Sequence, residues 1–289
     1  MPLVRKAVIL CGGLGTRFLP VTKVFPKEML PVIDTPVLHY LAEEVASSGI
    51  EDVYIVISPA KTAIADYFAP DARLNAALTA AGRTDMLAVV NRDFGVRIHT
   101  VIQSTAKGSG DALLLCEKQT AGEPFAVLLG DDLINAAVPV TRQLIDAYAV
   151  CGRSVVGMQA RTEPDIRKYG VADAAVKTDA PFILNGILEK PAQEDYPVLP
   201  SVQCALGRYV FTPDIFAALR ATAPVRGELG LTYAIQTLCT MPAGAAGYVF
   251  SGRRYDMGDK YETIEAIVEY ALARPEFADK LRAYLAKIR

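Results

Sequence analysis

Apolar runs and helix-like segments alternate along residues 1–160 of the chain. Short β-branched apolar runs, which are typical of buried strands, lie at Val4–Cys11, Asp52–Ser58, Val96–Gln103, Phe125–Leu129 and Ser154–Gln159. Segments with apolar residues at helical spacing lie between these runs, at Pro36–Ser48, Thr62–Phe68, Ala72–Ala81, Gly108–Glu117 and Val140–Val150. Strands that alternate with helices predict an α/β fold, with a Rossmann-like, mixed but mostly parallel central sheet and helices on both faces.

From Tyr169 onward the pattern changes to short strand-like runs and turns. The runs lie at Gly170–Asp173, Ile187–Pro191, Gly207–Phe211 and Tyr248–Phe250, and a helix is predicted at Thr232–Cys239. Ala192–Gln203 is rich in proline and polar residues and is expected to form a mobile flap. The tail from Tyr261 has helical spacing and could pack on its own domain or on another subunit. We predict one domain over residues 1–289, with halves at 1–160 and 161–258 and C-terminal helices in 259–289.

A glycine-rich turn follows the first predicted strand. Gly12, Gly13 and Gly15 leave the backbone bare there, so several N–H groups can converge on an anion. Arg17 adds a permanently charged fork suited to phosphate oxygens, and Lys27 adds a second cation. The segment therefore predicts a phosphate-binding loop with two cations, although an ordinary tight turn between strand and helix stays open.

Two familiar nucleotide-binding motifs fit the chain poorly. Phe18 occupies the place of the third glycine in the dinucleotide-binding fingerprint, which disfavours a Rossmann dehydrogenase. Asp34 lies at the distance expected of a ribose ligand, but its sequence context predicts a turn before a helix. The P-loop pattern G-x-x-x-x-G-K-[ST] does not occur in the sequence, so a P-loop is excluded.

Composition and charge describe an ordinary globular protein. The 289 residues are 52% hydrophobic and 21% charged, and the formal net charge of −2 gives no electrostatic footprint for nucleic acid or an anionic membrane surface. We expect neither a signal peptide nor a membrane span, because the chain begins with strand-like sequence and its apolar runs are short. Five scattered cysteines, none in a C-x-x-C motif, indicate reduced thiols in a cytoplasmic protein.

The titratable residues restrict the chemistry further. With only His39 and His99, a histidine-rich metal site is excluded and a Ser-His-Asp device is disfavoured. Asp131 follows a buried apolar strand, at the edge where open parallel sheets bind ligands, and a carboxylate there can hold Mg²⁺ together with phosphates and water. Asp256 lies at a second junction of this kind and could supply another ligand, although each segment could also be a polar turn.

The segment from Gly12 to Pro31 carries a more specific signal. It begins Gly-Gly-Leu-Gly-Thr-Arg-Phe-Leu-Pro and ends Pro-Lys-Glu-Met-Leu-Pro. This sequence resembles the opening motif of the sugar-1-phosphate nucleotidyltransferases, and most closely that of the bacterial UTP–glucose-1-phosphate uridylyltransferases. Similar blocks continue to about residue 270. The resemblance implies an enzyme that joins a nucleoside triphosphate to a sugar 1-phosphate, with a nucleotide-binding first half and a smaller sugar-binding β region in the second.

Site residues follow from the resemblance position by position. Asp131 and Asp256 match the two metal-binding aspartates, which implies Mg²⁺ as the cofactor. Arg17 and Lys27 match the cations that neutralise the triphosphate and the leaving pyrophosphate, and Gln103 matches the glutamine that reads uracil. The positions that match nucleotide contacts are Gly12, Gly13, Gly15, Gln103 and Gly108. The positions that match contacts to the sugar and its phosphate are Gly170, Glu189 and Lys190.

Three positions depart from the family pattern. Where the family usually has Glu-Ile-Gln-Leu-Thr-Asp-Ala, this chain has Gly230 in place of the glutamine and Tyr233 in place of the aspartate. Val202 stands where an asparagine often precedes the Gly-Arg-Tyr block. All three positions are expected to line or flank the sugar side, so they bear on the identity of the sugar and leave the metal and nucleotide motifs intact.

The resemblance implies Mg²⁺-dependent transfer of a uridylyl group from UTP to α-D-glucose 1-phosphate, giving UDP-glucose and pyrophosphate. Gln103 and the insertion Leu74–Arg92 favour the uridylyl branch of the family. We expect a cytoplasmic homodimer or homotetramer with no nucleic-acid or membrane partner. Two alternatives stay open, namely the same reaction with dTTP or another sugar 1-phosphate, and a catalytically silent regulatory paralogue.

Overall fold

The computed structural model describes residues 2–161, 165–192 and 202–288. The strands in this part of the chain are β1 (Lys6–Cys11), β2 (Pro31–Val32), β3 (Thr35–Pro36), β4 (Asp52–Ile57), β5 (Arg97–Ile102), β6 (Phe125–Leu129), β7 (Asp132–Asn135), β8 (Ser154–Ala160), β9 (Gly170–Asp173), β10 (Phe182–Ile183), β11 (Gly186–Glu189), β12 (Gln203–Phe211), β13 (Ala245–Val249) and β14 (Arg253–Asp256).

One mixed sheet forms the centre of the molecule. Its strands lie in the order β10-β13-β8-β12-β6-β1-β4-β5, and β9 joins β12 to β11 at the side. β5, β4, β1 and β6 are parallel to one another, and β13 is parallel to β8. β12 runs antiparallel to both β6 and β8, so these six strands share one direction and β12 runs against them. The sheet is the mixed, mostly parallel arrangement predicted from the sequence.

Helices cover both faces of this sheet. They are α1 (Val37–Ser47), α2 (Thr62–Phe68), α3 (Ala72–Ala80), α4 (Thr84–Val90), α5 (Ser109–Leu114), α6 (Glu117–Thr120), α7 (Val140–Cys151), α8 (Asp214–Ala221), α9 (Leu231–Thr240), α10 (Lys260–Ala273) and α11 (Pro275–Leu285). Alternate residues of a strand point to opposite faces. Ala7 and Ile9 of β1 accordingly join a core with α1 and α7, whereas Val8 and Leu10 join a second core with α5, α8 and α9.

Several boundaries differ from the sequence prediction. The late strand is β13, which begins at Ala245 and ends one residue before the predicted end at Phe250. β12 begins four residues earlier than predicted, at Gln203, because it pairs with both β8 and β6 and so needs greater length. The segment predicted as one helix at Gly108–Glu117 divides into α5 and α6. β7, β14 and α8 were not predicted from the apolar pattern.

The insertion at Leu74–Arg92 is peripheral. α3 and α4 occupy the insertion at Leu74–Arg92, and neither helix contains a buried residue. The predicted flap at Ala192–Gln203 lies, apart from its ends, outside the described residues.

α10 packs on the domain through the hydrogen bond of 2.5 Å from Tyr255 Oη to Glu269 and through ring contact between Tyr40 and Tyr270. Within the described ranges, no helix has both the length and the apolar character that crossing a membrane requires.

Candidate active site

The glycine-rich turn lies directly beneath the Lys27 side chain. β1 ends at Cys11, and Gly15 adopts a left-handed conformation with φ of 66°. A β-carbon on Gly13 would lie 3.4 Å from Lys27 Nζ, and one on Gly15 would lie 3.3 Å from Lys27 Cβ. Side chains at these positions would therefore press against Lys27. The glycines bring the backbone and the Lys27 ammonium to one surface, and the phosphate-binding role of this loop stays a prediction.

Lys27 is bound to Asp131 across the end of the sheet. Lys27 Nζ donates a hydrogen bond to Asp131 Oδ2, and both side chains are largely buried. Burial alone would raise the pKa of Asp131, but the adjacent Lys27 ammonium outweighs it and holds that pKa below its ordinary value. Burial likewise opposes the charge on Lys27, yet Asp131 and Glu28 raise the Lys27 pKa. Both groups are therefore ionised at neutral pH.

Asp256 reaches the same point from a distant part of the sequence. β14 pairs antiparallel with β7 so that Asp256 lies opposite Asp132. Met257 N donates to the Asp131 carbonyl oxygen at 2.8 Å, which joins the two turns. Arg17 Nη1 lies 3.6 Å from Asp256 Oδ2, so one predicted cation faces the second predicted metal ligand.

Gly258 keeps the space between the two carboxylates open. A β-carbon there would lie 2.9 Å from Asp256 Oδ1, 3.0 Å from Asp131 Oδ2 and 2.5 Å from Arg17 Nη2. The two aspartates and the guanidinium thus converge on one small volume that any side chain at position 258 would fill. Gly258 was not among the predicted site residues, although its place in the Asp-x-Gly turn was the available signal.

The donor set of this space suits Mg²⁺. Magnesium in phosphate-transferring sites takes one or two carboxylates and completes its shell with substrate phosphates and water. Asp131 and Asp256 supply that number, and their oxygens face the same opening. Among the residues that the structure describes, no group of three or more histidine, cysteine, aspartate or glutamate side chains is arranged to hold a metal. Two carboxylates would leave the remaining coordination positions of a Mg²⁺ ion to substrate phosphates and water.

Gln103 lies against the turn from the next strands of the sheet. It follows β5, is 6% exposed, and donates from Nε2 to Gly108 O at 3.1 Å and to Asp111 Oδ2 at 2.8 Å. Its Oε1 faces Gly12, where a β-carbon would lie 2.8 Å away. The side chain therefore presents an acceptor beside the glycine turn. Gly12, Gln103 and Gly108 lie together, as the sequence predicted.

The three predicted sugar-side residues share one hairpin. β9 and β11 pair antiparallel, with Gly170 opposite Glu189. Lys190 follows β11, donates its N–H to Tyr169 O at 3.0 Å, and places Nζ 3.5 Å from Glu189 Oε1. A β-carbon on Gly170 would lie 2.6 Å from Thr232 Cγ2, so this strand lies directly against the start of α9.

Arg254 connects these strands to the turn of Asp256, and no role is predicted for this residue from the sequence. The buried guanidinium donates to Asp132 Oδ1 at 2.8 Å through Nε and to Tyr169 Oη at 2.6 Å through Nη1. Its Nη2 lies 3.9 Å from Asp256 Oδ2. Burial raises the pKa of Asp132 to about 6, although Arg254 acts in the opposite direction. The available sequence signal was strand alternation, which places Arg254 on the same face of β14 as Asp256.

The fold and the site together define a class of protein. Two cations, two carboxylates and a bare glycine turn meet at the ends of β1, β6 and β14, which is an arrangement for handling phosphates at the edge of an α/β sheet. The nucleotidyl transferase family model matches residues 6–272, and the chain belongs to this family. The roles of the individual site residues remain predictions.

Relatives of known name match the chain over its full length. A UTP–glucose-1-phosphate uridylyltransferase from Staphylococcus epidermidis is 39% identical over 290 residues, covering 100% of this chain and 99% of the relative. The Bacillus subtilis UTP–glucose-1-phosphate uridylyltransferase YngB is 40% identical over 287 residues, covering 99% of this chain and 95% of the relative.

Solved structures share the whole fold. UTP-bound UGPase from Acinetobacter baumannii superimposes with a TM-score of 0.90 at 28% identity, covering 99% of this chain and 100% of that one. A UDP-glucose pyrophosphorylase complexed with UDP-glucose has a TM-score of 0.84 at 33% identity, covering 94% of this chain and 100% of that one.

Proposed function

We propose that the chain transfers the uridylyl group of UTP to α-D-glucose 1-phosphate in the presence of Mg²⁺, giving UDP-glucose and pyrophosphate. The observation that carries this proposal is the convergence of Asp131, Asp256 and Arg17 on the space kept open by Gly258, beside Lys27. The names of the full-length relatives support the choice of nucleotide and sugar.

The chemistry of the reaction fits this inventory. The attacking group is a phosphate oxygen of the sugar phosphate, which is already ionised at neutral pH, so a general base is not required. Two polyanionic substrates repel each other, and the protein must bring them together and stabilise charge at the phosphorus under attack. Cations and carboxylates can do this work, which agrees with a chain that has only two histidines.

The nucleotide side of the site has a role for each predicted residue. The N–H groups of the turn at Gly12, Gly13 and Gly15 bind phosphate, while Arg17 and Lys27 offset the charge of the triphosphate and of the departing pyrophosphate. Asp131 and Asp256 would hold Mg²⁺, which when bound offsets phosphate charge and stabilises charge that develops during transfer. Uracil carries an N–H that can donate to Gln103 Oε1, and Gly108, which accepts from Gln103 Nε2, lets its loop pack closely against the backbone of Leu229.

The sugar side of the site uses the hairpin of β9 and β11. Gly170, opposite Glu189, contacts the sugar through its backbone, Glu189 accepts hydrogen bonds from sugar hydroxyls, and the exposed Lys190 ammonium binds the sugar phosphate. Arg254 joins this hairpin to the strand of Asp256, so that the two substrates are held at a fixed separation. The halves 1–160 and 161–258 therefore act on one reacting centre.

We also propose that the chain acts as a homodimer or homotetramer in the cytoplasm. α11 has a single buried residue, Ala278, while Tyr284, Leu285 and Ile288 at the end of the chain are exposed apolar side chains that a second subunit could cover. The buried thiols of Cys11 and Cys116 suit a reducing compartment. Sedimentation of the purified chain gives the subunit count directly.

The deciding experiment is pyrophosphate release in the presence of Mg²⁺, with four nucleoside triphosphates crossed against glucose, galactose and N-acetylglucosamine 1-phosphates. Turnover confined to UTP with glucose 1-phosphate is the expected result. Turnover with another pair would overturn the proposed substrates but keep the reaction. A folded protein that binds nucleotide and turns over no pair would instead be the silent regulatory paralogue.

The surroundings of Gly230 favour a different sugar 1-phosphate as the second candidate substrate. Tyr233 lies over Gly230, where a β-carbon would be 2.9 Å from Tyr233 Cδ2, so the ring occupies the space of the usual glutamine side chain. The two departures from the family pattern are therefore one coupled change. Thr232, in the same turn of α9, adjoins Gly170, where a β-carbon would lie 2.6 Å from Thr232 Cγ2, so this change is close to the strand of the proposed sugar contact.

A further inference from the structure

Lys61 lies beneath the phosphate loop and belongs to none of the motifs described so far. It immediately precedes α2 and is 8% exposed. Its Nζ donates to Cys11 O at 2.7 Å and to Glu28 Oε1 and Oε2 at 2.9 and 2.8 Å. An ammonium has three N–H donors, and here all three have acceptors within the protein. Lys61 is therefore committed to these two residues.

Each partner of Lys61 adjoins a residue of the proposed site. Cys11 immediately precedes Gly12, so its carbonyl fixes where the glycine turn begins. Glu28 immediately follows Lys27, and its side chain is 0% exposed. A β-carbon on Gly130 would lie 2.6 Å from Cys11 Sγ and 3.0 Å from Glu28 Cγ, so both partners also pack against the turn that carries Asp131.

The charges explain why this contact matters for Lys27. Burial raises the pKa of Glu28, while Lys61 and then Lys27 act in the opposite direction. A buried carboxylate without a partner is strongly unfavourable. Without Lys61, Lys27 would be the remaining cation next to Glu28, and it would be drawn away from Asp131 and from the bound phosphates.

We propose that Lys61 is a positioning residue for the transfer reaction: it neutralises Glu28, leaves Lys27 directed at Asp131 and the triphosphate, and holds the Cys11 carbonyl that starts the glycine turn. This proposal rests on the proposed function, since it assigns Lys61 to the nucleotide side of that site. It predicts a defect in the use of the nucleoside triphosphate and little change in the use of the sugar phosphate.

The test compares Lys61→Met with a matched variant at the opposite end of β1, the strand whose last carbonyl oxygen, that of Cys11, is bound by Lys61. Lys6 begins β1, donates to Thr120 O at 3.3 Å and pairs with Glu123 at 3.3 Å, so it also binds one carbonyl and one carboxylate but lies far from the loops. Lys61→Met is expected to raise the KM for the nucleotide and lower kcat by about tenfold each, with the sugar-phosphate KM changed less than about twofold. Lys6→Met is expected to change neither KM.

A double variant that replaces both charged side chains tests the mechanism and provides a second protein if the single variant does not fold. Glu28→Gln combined with Lys61→Met removes the unpaired buried charge, so thermal stability and Lys27-dependent turnover are expected to recover in part relative to Lys61→Met alone. The nucleotide KM is expected to stay raised, because the Cys11 carbonyl still lacks its donor. If Lys61→Met does not fold, the double variant decides the question on the same nucleotide KM.

Two results would overturn the proposal. One is a folded Lys61→Met or double variant with the kcat and nucleotide KM of the unmodified protein. The other is loss of stability alone, as in Lys6→Met. All kinetics use whichever substrate pair the unmodified protein turns over, and nucleotide affinity is also measured by calorimetry. A different substrate pair would therefore refute the proposed function, and the same variants would still decide the role of Lys61 with that pair.

Discussion

Lys27 and Lys190 are the two lysines assigned to substrate phosphates, and the structure places them in contrasting surroundings. The Lys27 side chain is 14% exposed, lies across two glycines and is bound to Asp131. The Lys190 side chain is 62% exposed, and its Nζ lies 3.5 Å from Oε1 of the neighbouring Glu189. The lysine proposed to bind the triphosphate is thus fixed by internal contacts, whereas the lysine proposed to bind the sugar phosphate is exposed to solvent.

This difference has an energetic meaning. Charges that are buried and fixed in advance stabilise developing charge without reorganisation, whereas an exposed ion pair is screened by water and contributes about 0–1 kcal/mol. The nucleotide residues should therefore govern the rate of the chemical step, and the sugar residues should govern mainly the binding of one substrate. Substitutions on each side of the site test this division.

Replacement of either metal aspartate should have the largest effect. Asp131→Asn and Asp256→Asn each remove one of the two carboxylates that face the Gly258 space, and turnover is expected to fall by about 10³-fold or more. Steady-state pyrophosphate release measures the loss, and circular dichroism checks that the fold is intact. Asp259→Asn is the control, because Asp259 caps α10 through Tyr261 N, a role that asparagine can also fill, so neither rate nor stability should change much. Turnover like that of the unmodified protein in either variant would remove the metal assignment.

A direct comparison of the two lysines should separate rate from binding. Lys27→Met is expected to lower kcat by about 10²-fold, because Asp131 loses its buried partner and the triphosphate loses a fixed cation. Lys190→Met is expected to raise the sugar-phosphate KM by about tenfold with a smaller change in kcat. Kinetics with each substrate varied in turn measure both effects. Equal losses of kcat in the two variants would contradict the division between the two sides.

Arg254→Met should disrupt the connection between the two sides and lower stability. Asp132 would keep its buried position without the guanidinium that neutralises it, at a cost of about 3–5 kcal/mol in the free energy of unfolding. Urea denaturation measures this change. Arg253→Met is the matched control, since Arg253 is exposed and pairs with Glu265 and Glu269, and it should cost about 1 kcal/mol or less. Similar costs for the two variants would show that the Arg254 contacts do not join the halves.

The contrast between the sides also explains what the sequence could and could not predict. Gly12, Arg17 and Lys27 are recognisable because they follow one another in a single continuous segment after a clear apolar strand. The roles of Lys61 and Arg254 depend on partners that are far away in the chain, at Glu28 and Asp132. The pairing of β7 with β14, which sets Asp256 opposite Asp132 and so beside Asp131, is equally non-local.

Short elements with weak patterns account for the remaining differences. β7 and β14 have four residues each, too few for alternation to stand out from a turn. Gly258 in turn gains meaning only when Arg17, Asp131 and Asp256 surround it. Periodicity and motifs therefore predicted the sheet and the continuous loop, while contacts between distant segments needed the structure.

Restoring the usual glutamine at position 230 should have a moderate effect on stability. The Tyr233 ring occupies that space, so Gly230→Gln is expected to cost about 1–3 kcal/mol through overpacking. Adding Tyr233→Asp should recover most of that loss, because it clears the space. Thermal denaturation of the two variants and of Tyr233→Asp alone completes the cycle. If the cost of Gly230→Gln does not depend on Tyr233, the two departures are independent changes.

Glu189→Gln should have the smallest effect and the most selective one. The glutamine keeps one oxygen acceptor but loses the charge that strengthens hydrogen bonds from sugar hydroxyls, so the sugar-phosphate KM should rise by about five- to tenfold. The UTP affinity measured by calorimetry should be unchanged, because Glu189 lies in the hairpin of β9 and β11 rather than at the glycine turn. Asp173→Asn in β9, at the other end of the same hairpin opposite Gly186, is the control and should leave both substrates unaffected. An equal loss for both substrates in Glu189→Gln would mean that Glu189 supports the site as a whole, and the proposed separation of sugar and nucleotide contacts would then fail at the residue that should show it most clearly.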